Sequence, residues 1–191
     1  MKITHLLLLA ALLTLAGCSS DGVTRPPATR ISFFNAAPRY GQIAFLREER
    51  SESSGEFGTG IPLSSIDSGP YDFHLDVYPV GSAALRADTL TADLSPDDDN
   101  FFLSVETGSQ LDLILATRPH ARQSAGTARV TLIHGNGAVG AIDMYVTTAG
   151  MPLSGIAPDG TVSLGSSTLD FEKSPGTYRI YLTPILPGKR R

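Results

Sequence analysis

The chain has 191 residues, with 15 basic and 19 acidic side chains and a formal net charge of −4. The acidic balance argues against a nucleic-acid binder, which needs a basic surface. The single cysteine excludes an intrachain disulfide and any multi-cysteine metal site. Hydrophobic residues make up 41% of the chain, too many for a disordered protein, and its 19 Gly and 13 Pro favour a β protein rich in turns.

The amino terminus has the pattern of an export signal. Lys2 precedes a leucine-rich run from Leu6 to Ala16, which is shorter than the ~20 residues that cross a bilayer. The run ends in Leu15-Ala16-Gly17-Cys18, which resembles the lipobox of bacterial lipoproteins. That resemblance implies cleavage after residue 17, a diacylglyceryl thioether on Cys18 and acylation of the new amino terminus. The alternative is an ordinary signal peptide in which the cysteine occurs by chance.

Lipid on Cys18 would attach the protein to a membrane. Each buried CH₂ contributes about 0.8 kcal/mol, so two or three acyl chains hold a protein almost permanently. The next residue is Ser19 rather than aspartate, which resembles lipoproteins released to the outer membrane of Gram-negative cells. We therefore expect a signal peptide over residues 1–17 and a lipid-anchored tether over 18–29. The expected location is the cell membrane, or the periplasmic or surface face of the outer membrane in a Gram-negative cell.

From Arg30 onward, apolar residues recur at every second position, the pattern of half-buried β strands. Tyr71, Phe73, Leu75 and Val77 share one face in this way. Short strands separated by Gly, Pro, Ser and Asp turns predict an all-β fold, an immunoglobulin-like antiparallel β-sandwich over residues 30–119. The predicted strands are 30–35, 42–47, 60–66, 70–78, 86–94, 100–106 and 111–117.

A second, related β unit is predicted over residues 127–188, after a linker at 120–126. The patterns of residues 29–35, 42–46 and 69–75 recur at 128–134, 142–146 and 176–182. The last three strands of the first unit have no counterpart in the second. We therefore expect exposed apolar side chains there, namely those of Ile142, Met144, Phe171 and Ile180. Such a unit either packs against the first unit or a partner, or belongs to a truncated chain, and we favour truncation or an incomplete domain.

The segments from Ala128 to His134 and from Ala141 to Val146 resemble the opening of domain of unknown function 4397. The segment from Ser174 to Tyr178 resembles a later motif of that family. The first unit shows the turn Asn35-Ala36-Ala37-Pro38 but has no aspartate in its second strand. The resemblance spans most of residues 28–188. It implies a β fold, often in tandem, in exported and lipid-anchored bacterial proteins, and it supplies no activity and no catalytic residue.

Two loops have spacings that could carry a ligand. Residues 135–140 (GNGAVG) satisfy G-x-G-x-x-G, but an alternating strand follows instead of the helix that would hold a pyrophosphate. Asp97-Asp98-Asp99-Asn100 could offer oxygens to calcium. Those four residues are consecutive and precede a strand, so we favour a solvated turn. Neither loop is expected to bind a cofactor or a metal.

Two sets of side chains have a similar ambiguity. Asp72, His74 and Asp76 could present ligands to a metal, although any solvent-facing strand has the same spacing. His134 ends a predicted strand and aligns with Asn35. Both side chains are able to hydrogen-bond the backbone of a turn, which is the role we expect for them.

The motifs G-x-S-x-G, H-E-x-x-H and S-x-x-K do not occur in the sequence, and His74, His120 and His134 lie far apart in it. We therefore expect no enzyme, but a lipid-anchored envelope protein with a structural or interaction module. Its protein or glycan partner is not specified by the sequence. The alternatives are a carbohydrate- or calcium-binding accessory module and, third, an envelope hydrolase. A cluster of the tyrosines would favour the carbohydrate alternative, namely of Tyr40, Tyr78 and Tyr145.

Overall fold

A computed structural model describes residues 26–79, 82–120, 123–165 and 168–185. The predicted signal peptide, Cys18 and most of the predicted tether lie outside these residues. The described part contains thirteen β strands and no helix, which confirms the all-β prediction. The strands are β1 (Ala28–Asn35), β2 (Ile43–Arg47), β3 (Arg50–Gly55), β4 (Gly60–Asp67), β5 (Gly69–Val77), β6 (Leu85–Leu94), β7 (Asp98–Thr107), β8 (Gln110–Pro119), β9 (Ala128–Ile133), β10 (Ile142–Thr148), β11 (Gly160–Val162), β12 (Thr168–Lys173) and β13 (Tyr178–Pro184).

Strands β1–β8, which we call the first unit, form a sandwich of two four-stranded sheets. Their orders are β4-β1-β7-β8 and β3-β2-β5-β6. The pairing is antiparallel except between β1 and β7, which run parallel. The first strand begins two residues earlier than predicted, because Thr29 is buried and its hydroxyl donates to the Ser95 carbonyl oxygen at 2.7 Å. The predicted tether is therefore too long by Ala28 and Thr29.

The core of the first unit is a stack of phenylalanines from both sheets. The ring centroids of Phe33 and Phe45 are 4.7 Å apart, and those of Phe73 and Phe102 are 4.2 Å apart. None of these side chains is more than 1% exposed. They come from β1, β2, β5 and β7, so the two sheets are joined by aromatic contacts worth about 0.5–1.5 kcal/mol each beyond simple burial. The predicted inward face of β5 is confirmed, with Phe73 and Leu75 fully buried.

Strand β3 is not among the predicted strands, because its residues Arg50–Gly55 (RSESSG) show no apolar alternation. It pairs with β2 through a tight turn at Glu48 and Glu49, whose φ angles are +46° and +65°. Such turns normally contain Asn or Gly. Here the turn is held by Arg86, which donates to both carboxylate oxygens of Glu49 at 2.9 and 2.8 Å.

Strands β9–β13, which we call the second unit, form two smaller sheets of order β12-β9 and β11-β10-β13. The antiparallel pairs β9–β12 and β10–β13 follow the pattern of β1–β4 and β2–β5. The predicted exposure of Ile142 and Met144 is wrong, since they are 8% and 1% exposed. They lie on the central strand of their sheet and are flanked on both sides. Phe171 is half-buried, and Ile180, on the outer strand β13, is 54% exposed.

Candidate functional site

An open groove of about 1010 Å³ lies where the second unit meets the first. The first unit contributes the ends of β1 and β7 and the loop after β3, and the second contributes β9, the loop to β10, and β13. The groove is mainly apolar, and three large side chains at its walls are half-exposed, namely Phe34, Phe57 and Leu182. Ligand sites commonly occupy about 300–1,000 Å³, so the groove has room for a peptide segment or a small ligand.

The groove exists because two strands of the first unit carry apolar residues on both faces. Phe33 and Phe102 point into the sandwich core, whereas their neighbours Phe34 and Leu103 line the groove. Successive side chains of a strand point to opposite faces, so this sheet has one face on the core and one on the second unit. Val105, on the same face as Leu103, is completely buried.

A glycine loop of the second unit lies directly on β7. A Cβ atom at Gly137 would lie inside van der Waals distance of the Glu106 carbonyl oxygen, so only glycine fits there. A Cβ atom at Gly135 would lie 3.2 Å from a methyl group of Leu103. These glycines belong to the G-x-G-x-x-G sequence, which is followed by strand β10 as expected and not by a helix. They serve close packing between the units.

His134 and Asn35 both organise the turn that follows their strand, as predicted. The His134 ring is 3% exposed, and its Nδ1 accepts from the backbone N–H of Asn136 at 3.2 Å. Its Nε2 lies 2.7 Å from the carbonyl oxygen of Gly140, which assigns the proton to Nε2. The Asn35 side chain likewise accepts from the backbone N–H two residues on, that of Ala37, at 3.0 Å.

An ion pair stands at the polar end of the groove. The Arg39 guanidinium donates to the Glu106 carboxylate and to the carbonyl oxygen of Gly108. The carboxylate also accepts from the backbone N–H of Arg39, so each of its two oxygens accepts a hydrogen bond. The Glu106 side chain is 13% exposed and that of Arg39 is 60% exposed. The groove therefore combines an apolar floor with one accessible guanidinium, able to meet a carbonyl or an acidic group.

The prediction of a solvated turn at Asp97–Asn100 is wrong for its second half. Strand β7 already begins at Asp98, and the Asp99 side chain is 1% exposed between Arg30 and Arg118, at 2.5 and 2.8 Å. Burial alone would raise the pKa of Asp99, but the hydrogen bonds from the two arginines outweigh it and lower that pKa. Asn100 is also buried and donates to the Thr29 hydroxyl at 3.0 Å.

One face of β5 carries Asp72, His74 and Asp76, and all three side chains contact side chains of the neighbouring strand β6. His74 is 7% exposed, and its Nδ1 lies 3.0 Å from the Thr89 hydroxyl. Asp76 accepts from Arg86 at 2.8 Å, and Asp72 accepts from the hydroxyl of Thr91 at 2.6 Å. The hydrogen bonds between Arg86 and Glu49 raise the pKa of the arginine and lower that of the glutamate. Nowhere in the described ranges do three or more His, Cys, Asp or Glu side chains form a group suited to a metal.

In the described part of the chain, the three histidines do not lie close to one another, and neither do the three tyrosines of the carbohydrate alternative. His120 contacts Arg30 and Asp99, far from His134 in the groove wall, and His74 contacts a threonine. In the part of the chain that the structure describes, no serine hydroxyl is hydrogen-bonded to a histidine. The tyrosines are not clustered: Tyr40 packs on the core of the first unit, Tyr78 follows β5, and Tyr145 lies in β10.

Comparisons with known proteins give no relative. No family model matches the chain, and neither a curated protein nor a solved structure matches it significantly. Among the described segments, none is a helix with the length and apolar character needed to span a bilayer.

The groove residues Phe34, Phe57 and Leu182 were not predicted as site residues from the sequence. A signal for part of the groove was present in the pairs Phe33-Phe34 and Phe101-Phe102. Adjacent large apolar residues interrupt the alternation of a half-buried strand and indicate a sheet covered on both faces. Phe57 and Leu182 carry no such signal, because their role depends on contacts between segments distant in sequence.

Proposed function

We propose that this protein is a lipid-anchored component of the bacterial cell envelope and that its β units form a non-catalytic interaction module. The observation that carries the proposal is the groove, with Phe34, Phe57 and Leu182 between 45% and 55% exposed. Contiguous exposed apolar surface of this kind, bordered by polar groups, is typical of a docking site. Arg39 at its end would orient a partner by donating hydrogen bonds to an acceptor group of that partner.

The anchor rests on the sequence from Leu15 to Cys18, which has the residues a lipoprotein signal needs. Acylation of Cys18 would hold the β units within a tether's length of the membrane. The proposed location is the outer membrane, on its periplasmic or outer face, if the cell is Gram-negative. The module would then meet other envelope components without needing high affinity in solution.

We also propose that the two units are tandem relatives, akin to domain of unknown function 4397. Three observations support this. The first strands pair in the same pattern, the aligned residues Asn35 and His134 both accept from the backbone two residues on, and both units begin with an arginine-containing strand.

A second candidate function is binding of envelope carbohydrate. It is favoured by the exposed rings of Phe34 and Phe57, which could stack on the apolar face of a sugar. Carbohydrate sites usually offer such aromatic platforms together with hydrogen-bonding groups, and Arg39 supplies one of these.

Membrane fractionation tests the anchor. The wild-type chain should sediment with membranes and resist extraction by high salt, whereas Cys18→Ser should be found in the soluble fraction. Equal sedimentation of the two would contradict a lipid anchor on Cys18, because the protein would then stay with membranes without this cysteine.

Cysteine labelling in intact envelopes tests the groove. Phe57→Cys should react with a membrane-impermeant maleimide several-fold more slowly in envelopes than after purification, because a partner covers it. Asp97→Cys, exposed at the opposite end of the sandwich, is the matched control and should react alike in both. Equal reactivity of Phe57→Cys in the two preparations would refute the docking role. Loss of its protection after enzymatic digestion of envelope glycans would favour the carbohydrate alternative.

A further inference from the structure

We propose that β13 pairs edge to edge with β13 of a second copy of this chain, so that each copy closes the open side of the other's second unit. The inference rests on the proposed envelope anchor, which confines the copies to one membrane and so favours their encounter. It names the partner that covers the β13 side of the groove.

Among the described residues, the outer edge of β13 has no partner strand. Strand β5, which has the matching place in the first unit, lies between β2 and β6. Within the described ranges, β13 pairs with β10 alone. It is seven residues long and contains one charge, Arg179, and one proline, Pro184, at its end. Edge strands normally avoid pairing through charges, prolines or bulges, and β13 has little of this protection.

Two apolar side chains of β13 are much more exposed than the residues aligned with them in the first unit. Ile180 and Leu182 align with Phe73 and Leu75, which are completely buried, yet they are 54% and 50% exposed themselves. They stand opposite Val146 and Met144 in the β10–β13 ladder and share their face of the sheet. Val146 and Met144 lie on the central strand and are buried on that face, whereas Ile180 and Leu182 lie at the edge of the sheet, where Leu182 also borders the groove.

The sequence of β13 is suited to antiparallel pairing with itself. A register centred on Tyr181 places Ile180 opposite Leu182 of the other copy, and Arg179 opposite Thr183. All seven residues then pair, apolar side chains meet on one face, and no like charges are opposed. A shift of four residues that places Arg179 opposite Arg179 would be unfavourable. The resulting contact is isologous, the commonest type in homodimers.

Disulfide trapping in the lipid-anchored chain tests this register. Cys18 is acylated under the proposed function, so a new cysteine is the single free thiol. Mild oxidation of Tyr181→Cys should give a band at twice the monomer mass, because opposed Cα atoms lie within the ~4.4–6.8 Å that a disulfide needs. Thr183→Cys is the matched control on the same face. Its two thiols would be four residues apart across the pair, about 13 Å, and should not join.

Co-expression of two different cysteine variants tests the same register through a cross-link that should form. Arg179→Cys and Thr183→Cys in two differently tagged copies should form a mixed dimer, although neither forms one alone. Adding Leu182→Lys to Tyr181→Cys should abolish the doubled band, because it places an ammonium group in the apolar contact.

Three results would overturn the inference: no doubled band from Tyr181→Cys, equal bands from Tyr181→Cys and Thr183→Cys, or a cross-linked product of another mass. The last would identify a different protein at the edge. Failure of the anchor is recognised separately, because wild-type protein would then leave the membrane fraction. Wild-type sedimentation with no trapped dimer would leave the proposed function intact and refute the pairing.

Discussion

Replacement of Asp99 by asparagine tests how much a buried ion pair stabilises the fold of the first unit. The Asp99 carboxylate is buried and joins Arg30 of β1 to Arg118 of β8. Arg118 also donates to the Thr131 hydroxyl in β9 of the second unit. Asp99→Asn keeps the shape of the side chain but removes its charge, so both guanidinium groups lose their ion pair with this carboxylate.

The size of the effect follows from the burial of the three groups. Removing one partner of a buried ion pair costs about 3–5 kcal/mol when the remaining charge has no access to water. Here the Arg118 side chain is 14% exposed and that of Arg30 is 37% exposed, so solvent compensates part of the loss. We therefore expect the free energy of unfolding to fall by about 2–4 kcal/mol, which lowers Tm by roughly 4–16 °C for a chain of this size.

Urea and thermal unfolding, followed by circular dichroism, measure this change. Asp97→Asn is the matched control, because it removes the same charge from an exposed side chain two residues away, and it should alter Tm by little. If Asp99→Asn were no more destabilising than Asp97→Asn, the buried ion pair would not stabilise the fold and the reasoning would be refuted.

Three further predictions follow from the same contacts. Since the pKa of Asp99 is lower in the folded state than the ~3.9 of an unfolded aspartate, its stabilisation is present above that pH and lost as pH falls through the folded pKa; acid titration of unfolding should show a smaller drop for Asp99→Asn than for wild type. Addition of EDTA or calcium should leave Tm unchanged, because Asp99 is paired with arginines, and a fall on chelation would restore a calcium site. Gly137→Ala should lower the free energy of unfolding by about 1–3 kcal/mol through its clash with the Glu106 carbonyl group, whereas Gly140→Ala, where a Cβ meets nothing within 4 Å, should be nearly neutral; equal effects would contradict the close packing.

The fold class was predictable because several strands of the first unit alternate apolar and polar residues. In β5 the alternation of Phe73 and Leu75 with polar residues is a direct consequence of the pleat, and it needs no knowledge of distant contacts. Strand β3 escaped prediction because it carries no apolar residue. Its pairing depends on β2 and on the turn held by Arg86, a residue 37 positions from Glu49.

The site was far less predictable. The acidic run at 97–100 has the composition of a surface loop, and its burial is caused by Arg30, 69 positions from Asp99. The groove depends on Phe34 and Leu182, which belong to different units and line it where the glycine loop packs on β7. Periodicity reports which face of one strand is apolar, but it does not report which other segment covers that face.

The claim on which the whole account depends is that this chain is held in the envelope by lipid on Cys18. Mass spectrometry of the amino-terminal peptide from the mature, membrane-extracted protein tests it most directly. Lipid attachment predicts a peptide that begins at residue 18 and carries the mass of a diacylglyceryl group together with an acyl chain on the amino group. An unmodified amino terminus, or one that begins at any other residue, would contradict it.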